Sequence, residues 1–109
     1  MKVVYNTCYG GFTLSEEGVR FMADRGNKDC IQLIEEGRAA DGWSMYDECD
    51  TPRHDALLVI AVETLGSERA SGFCAELDIH TLKGNRYVIH EYDGVETVVE
   101  PHDINWIEV

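Results

Sequence analysis

Apolar and polar positions change rhythm along this chain, and each rhythm predicts a different element. Lys2 to Thr7 concentrates β-branched and aromatic side chains in Val3, Val4 and Tyr5, which predicts a first strand. A glycine turn, Cys8-Tyr9-Gly10-Gly11-Phe12, follows it. Leu14, Val19, Phe21 and Met22 then recur at helical spacing. Thr13-Leu14-Ser15-Glu16 reads as a capping box with Thr13 at the N-cap, and Gly26 as the helix stop. Cys30 to Glu36 fits either a short helix closed by Gly37 or an edge strand, and residues 38–50 read as a surface loop. Trp43 and Tyr46 in that loop are either pinned inward or exposed for a partner.

Thr51-Pro52 predicts a helix start, because proline suits the first helical position after a threonine cap. The segment from Asp55 to Leu65, ending at Gly66, is then helical, although its run of consecutive apolar residues also suits a buried parallel strand. From Cys74 the period becomes two. Leu77, Ile79 and Thr81 alternate with polar neighbours, Lys83-Gly84-Asn85 predicts a hairpin turn, and Tyr87 and Ile89 continue on a return strand paired to the first. Asp93-Gly94 is a strong two-residue hairpin signal, after which Val95 to Glu100 forms a strand and Ile104 to Val109 a last strand or tail. The expected fold class is α+β: one domain over residues 1–109, in the order β-α-(α)-α-β-β-β. Helices would cover one face of a mainly antiparallel sheet that the first strand joins in parallel. The opposite face, with Asp78, His80, His90 and Tyr92, would remain open to a partner or to a second copy in a homodimer.

Composition narrows the function. The 109 residues carry 9 Lys and Arg against 21 Asp and Glu, a net charge of −12. That balance argues against direct nucleic-acid binding, which requires a basic face, and against adhesion to an anionic membrane. The acids are spread over both halves of a chain that is 44% hydrophobic, so they do not mark a disordered tail. With no apolar run of membrane-spanning length and no signal-like N-terminus, a cytosolic protein is expected. Cys8, Cys30, Cys49 and Cys74 contain no close ligand pair and are expected to be free thiols. The four histidines share no ligand spacing, and neither metal nor cofactor is expected.

The glycine turn is the most distinctive local feature. Backbone amides freed by Gly10 and Gly11 before a helix suit an anion, and Tyr9, Arg53 and Tyr92 would complete a nucleotide-type ligand site. The turn matches neither the phosphate-loop nor the dinucleotide pattern, Glu16 and Glu17 repel phosphate, and paired glycines in such a turn are more often steric. Cys8, at a strand end near a helix start, would be the nucleophile of a cysteine enzyme if His54 and Asp55 completed it; a small buried residue is the plainer reading. Pairing Tyr92 with Val95 across the second hairpin puts Glu91 opposite Glu96, a repulsive arrangement that calls for a cation, a shared proton or solvent. Arg53 is the nearest candidate cation. An acidic strip of Glu91, Asp93, Glu96, Glu100 and Asp103, with Asp47, Glu48 and Asp50 in the loop, is the candidate partner-binding surface.

Val4-Tyr5-Asn6-Thr7-Cys8-Tyr9-Gly10-Gly11-Phe12 with Leu14-Ser15-Glu16 resembles the opening of a family of small phage and prophage proteins of uncharacterised function. Arg53-His54-Asp55, Leu57-Leu58-Val59, Gly66, Ala70-Ser71 and Tyr92-Asp93-Gly94 with Glu96 resemble its later blocks, and residues 27–50 match none. The resemblance implies phage origin, residence in the host bacterial cytoplasm and no established enzyme activity. The expected function is then that of an acidic accessory protein that binds and inhibits a host factor, such as a nuclease complex of a defence system. A nucleotide-signal binder and a Cys8 enzyme are the alternatives.

Overall fold

The computed structural model describes residues 1–44 and 51–103. Strand β1 (Lys2–Asn6) leads through the glycine turn into a two-residue strand β2 (Thr13–Leu14), helix α1 (Glu16–Asp24) and helix α2 (Lys28–Glu35). A 3-10 turn at Ala39–Asp41 precedes the short strand β3 (Trp43–Ser44). Helix α3 (Ala56–Ala70), strand β4 (Leu77–Thr81), the hairpin of β5 (Val88–Tyr92) and β6 (Val95–Val99), and a 3-10 turn at Pro101–Asp103 complete the order. The fold is α+β with antiparallel pairing throughout the described strands.

Local chemistry explains the helix ends. Ser15 caps α1, its Oγ accepting from Gly18 N, because Thr13 and Leu14 are held extended against Ser44 and Trp43. Thr13 is therefore not the cap. Asn27 caps α2 by accepting from Cys30 N, so the 30–36 segment is helical rather than an edge strand. Asp55, not Thr51, caps α3, its carboxylate accepting from Leu57 N and Leu58 N. Thr51 is instead buried between Asn27 and Asp29, accepting from the first and donating to the second. The apolar run 57–62 is helix, and its stop signal acts as expected: Gly66 adopts φ 82° and ψ 162°, kinking α3 before its last turn.

The sheet differs from expectation. β1 pairs with β4 in antiparallel register, Val4 opposite Ile79 and Asn6 opposite Leu77, so the first strand does not join in parallel, and the described strands form three two-stranded sheets in place of one. β4 consequently has no ladder with β5, and the segment 82–87 is a bend rather than a hairpin turn. The Asp93-Gly94 hairpin forms as its residues dictate, with φ 53° and 88° at the two turn positions and Glu91 opposite Glu96. Strand alternation splits the interior in two. Val4, Leu77 and Ile79 pack with α1, α2, α3 and Trp43 in the main core, while Val3 and Tyr5 on the other face of β1 pack with Leu82, Tyr87, Ile89 and Val98 in a smaller one. The β5–β6 hairpin packs through Ile89 and Val98 on Val3 and Tyr5 of β1, and Asp78 and His80 stand on a different sheet from His90 and Tyr92. Residues 38–44 are more ordered than a loop, with Trp43 pinned inward; Tyr46, Asp47, Glu48, Cys49, Asp50 and the expected last strand lie outside the described residues. Among the described residues no helix is long and apolar enough to cross a membrane.

Candidate functional site

The two halves of the sheet meet at a polar knot that the ladder pattern makes necessary. In β1, Val4 and Asn6 turn their amides away from β4. Val4 N donates to the Arg53 carbonyl at 3.0 Å, and Asn6 N donates to Glu96 Oε1 at 2.8 Å. Arg53 and Glu96 close on each other with two bonds, Nη1 to Oε1 at 2.6 Å and Nη2 to Oε2 at 2.7 Å, with the Glu96 carboxylate wholly buried. The guanidinium also lies over the Phe12 ring, 4.0 Å from its centroid. The outer edge of β1 is therefore sealed by an ion pair.

Asn6 extends the knot. Fully buried, it donates through Nδ2 to Cys8 O at 2.6 Å and Gly94 O at 2.7 Å, and accepts through Oδ1 from Glu76 N at 2.8 Å and Cys8 N at 3.3 Å. One side chain thus joins β1, the start of β4 and the hairpin tip. The glycines complete the junction sterically. A Cβ on Gly94 would lie 2.1 Å from Tyr9 O, and one on Gly10 would lie 2.1 Å from Cys74 O. The Gly10-Gly11 turn is therefore a packing device, its Gly10 amide donating to Cys74 O at 3.0 Å.

This geometry redistributes the sequence candidates. Of the ligand set Tyr9, Gly10, Gly11, Arg53 and Tyr92, Arg53 is committed to Glu96, Gly11 is buried and Gly10 rests on Cys74. An anion at the turn finds neither the guanidinium nor an open amide cradle. Tyr9 and Tyr92 do come together, lining with His90, Glu91, Val95 and Thr97 a shallow hollow of about 300 Å³. Cys8 lines a separate hollow with Ser67, Ser71 and the carboxylates of Glu68 and Glu76. His54 is engaged instead with Tyr87, Nδ1 to Oη at 2.8 Å, and Asp55 is the α3 cap. Nucleophile, base and orienter are not assembled. Cys8, Cys30 and Cys74 are free thiols, and among the described residues no group of three His, Cys, Asp or Glu is placed to hold a metal.

The acidic strip divides as well. Glu91 and Asp93 are exposed, but Glu96 and Glu100 are buried at 2% and 3% exposure and satisfied internally, so they form no part of a surface strip. The carboxylate opposite Glu91 is tolerated because its charge is met by Arg53 on the inner side, while Glu91 accepts from Gly94 N across its own turn. Asp103 closes the last 3-10 turn. Glu100 accepts from His80 Nε2 at 3.0 Å, from Lys83 N at 2.8 Å and from Gly84 N at 3.4 Å. The His80 hydrogen bond, helped by those two amides and opposed by burial, holds its carboxyl below the ordinary 4.5.

A depressed carboxyl binds fewer protons in the folded than in the unfolded chain. Its contribution to stability is complete above the unfolded pKa and is lost as the pH falls through the folded one. Glu100→Gln should therefore flatten the acid limb: its urea midpoint should fall less than that of the wild type between about pH 5 and about pH 3. Equal slopes would rule out Glu100 as a source of acid sensitivity.

Two residues escape any single-sequence pattern. Asn6, the centre of the knot, reads as one more polar residue at a strand end, although it stands in phase with buried Val4. Phe73 is 91% exposed beside Cys74, a non-glycine residue at φ 59°. Together with Tyr9 at 74% and Tyr92 at 84% it puts three exposed rings on two loops and the adjoining end of β5. Their adjacency follows from the Gly10–Cys74 and Gly94–Tyr9 backbone contacts. No family model, curated protein or solved structure matches the chain, so this end of the fold stands on its own geometry.

Proposed function

We propose that the chain is a protein-binding module whose aromatic end docks on, and obstructs, a basic surface of a partner protein. The observation that carries this reading is the gathering of Tyr9, Phe73 and Tyr92, each largely exposed, on two loops and the end of β5, whose neighbouring backbones are interlocked. Three solvent-facing rings stabilise nothing in the folded chain. Tyrosine in particular is enriched among the anchors of protein interfaces, where rigid backbones lessen the ordering cost of association.

Charge selects the partner. Glu91 and Asp93 border the rings on the hairpin side, Glu68 and Glu76 lie around the Cys8 hollow, and the chain as a whole carries −12. Such a surface repels nucleic acid and membranes but complements the basic groove of a protein that handles nucleic acid. The resemblance to phage proteins supports a partner in the bacterial host, met in its cytoplasm, and an inhibitory rather than catalytic role.

Placing a photo-crosslinking side chain at position 92 in a bacterial host tests this directly. A crosslink to a basic protein is expected from position 92 and not from position 36, at the end of α2. The triple variant Tyr9→Ser, Phe73→Ser, Tyr92→Ser should lose at least about 100-fold in affinity for that protein, since each anchor contributes about 1–2 kcal/mol or more. Its unfolding free energy should change by only about 0.5 kcal/mol, as for surface positions generally. Undiminished binding by the triple variant would refute the assignment.

A further inference from the structure

The strand edges of this fold are treated unequally. The outward amides of β1 are taken by the Arg53 carbonyl and the Glu96 carboxylate. On β4, Leu77 N donates to Ser71 Oγ at 2.8 Å and Ile79 N to Asp78 Oδ1 at 2.7 Å. β5 has no such cover. In a two-residue hairpin the pair flanking the turn, here Tyr92 and Val95, exchanges both ladder bonds, and the bonded pairs alternate from there. His90–Thr97 and Val88–Val99 are then bonded, while Ile89 and Glu91 turn their N–H and C=O groups outward. Neither of those two amides donates to any group among the described residues.

We infer that β5 is an acceptor edge onto which an extended, Lys- and Arg-bearing segment of a partner protein adds as a further strand. The inference deepens the protein-binding reading above and rests on it. Main-chain bonds at Ile89 and Glu91 would supply affinity, and alternate side chains of the added strand would supply specificity. One face of that strand lies beside exposed Val88, His90 and Tyr92, next to the hollow shared with Tyr9. The exposed carboxylates of Glu91 and Asp93 stand at its end, which selects basic side chains. A second copy of this chain is disfavoured as the occupant, because two molecules of −12 would be brought edge to edge.

The test uses the full chain and dodecapeptides selected against it from a random display library. Selected peptides should be enriched in Lys or Arg, and their binding should slow amide hydrogen exchange at Ile89 and Glu91 by tenfold or more. The double variant Glu91→Gln, Asp93→Asn, which keeps the turn's hydrogen-bonding shape, should weaken them at least fivefold. Peptides that perturb the Tyr9 and Tyr92 signals while leaving the Ile89 and Glu91 amides unprotected would overturn strand addition and leave the aromatic docking end standing. Failure to select any peptide, selection without basic enrichment, or protection of those amides in the chain alone with a sedimentation mass of a dimer would each overturn the inference.

Discussion

Arg53→Ala should cost about 3–5 kcal/mol of unfolding free energy, because it leaves the Glu96 carboxylate buried without its cation. The loss is larger than for any exposed ion pair of this chain, such as Lys2–Glu63, whose side chains remain nearly half exposed. Three contributions add at one position: the two bonds to Glu96, the packing over Phe12, and the orientation of the carboxylate that accepts from Asn6 N. Arg53→Lys should recover part of the loss but not all of it, since an ammonium makes no bidentate fork and no planar stack on the ring. Removing both charges in a variant such as Arg53→Met, Glu96→Val should be less harmful than Arg53→Ala alone, although the Asn6 amide then loses its acceptor. Urea denaturation of the four proteins measures this ordering. A loss under about 1 kcal/mol for Arg53→Ala would show that the pair is solvated and the edge of β1 unsealed.

Asn6→Ala should cost about 2–4 kcal/mol for a different reason. No charge is stranded. Instead the carbonyls of Cys8 and Gly94 and the amides of Cys8 and Glu76 lose their common partner, a side chain that is itself fully buried. Asn6→Asp should be at least as harmful despite its identical outline, since a carboxylate cannot donate to two carbonyls and lies beside the Glu96 carboxylate. The effect should be uneven over the molecule. Amide exchange in α1 and α3 should respond only through global unfolding, whereas the 7–12 loop and the hairpin tip should open locally. Because those loops carry Tyr9 and Tyr92, weaker partner binding should accompany the local opening. Uniform exchange behaviour across helices and hairpin would show that Asn6 contributes to general stability rather than to joining these loops.

What was legible in the sequence was local. Gly26 and Gly37 end helices, Gly66 interrupts a third, and Asp93-Gly94 sets a hairpin whose register, including Glu91 opposite Glu96, follows from two residues. Arg53 could be named as a candidate cation for that carboxylate pair, beside a shared proton or solvent, but nothing in the sequence placed it there; the fold pairs it with Glu96. The partner of β4 was not legible. Period-two alternation marks Leu77 to Thr81 as a strand, but says nothing about its mate, and Lys83-Gly84-Asn85 imitates a hairpin turn closely enough to suggest the wrong one. Burial of Glu96 and Glu100 escaped for the same reason. An acid that follows a valine, as Glu96 follows Val95, reads as the outward residue of an alternating strand until Arg53, 43 residues away, is brought against it. Asn6 is the extreme case, since its four partners come from three separate segments.

The antiparallel pairing of β1 with β4 has a consequence for how the chain is made. Thr7 donates to the carbonyl of Glu76, 69 residues later, and Asn6 reaches Glu96 across 90. At synthesis rates of about 5–20 residues per second, the first strand emerges roughly 4–15 s before its mate exists. Val3, Val4 and Tyr5 pass that interval without their β4 ladder, in a nascent chain whose described local units are the helices and the short β2–β3 pair. Pairing of the first strand is therefore deferred until β4 has been made, and an N-terminal fragment ending before Leu77 carries an apolar strand without its mate.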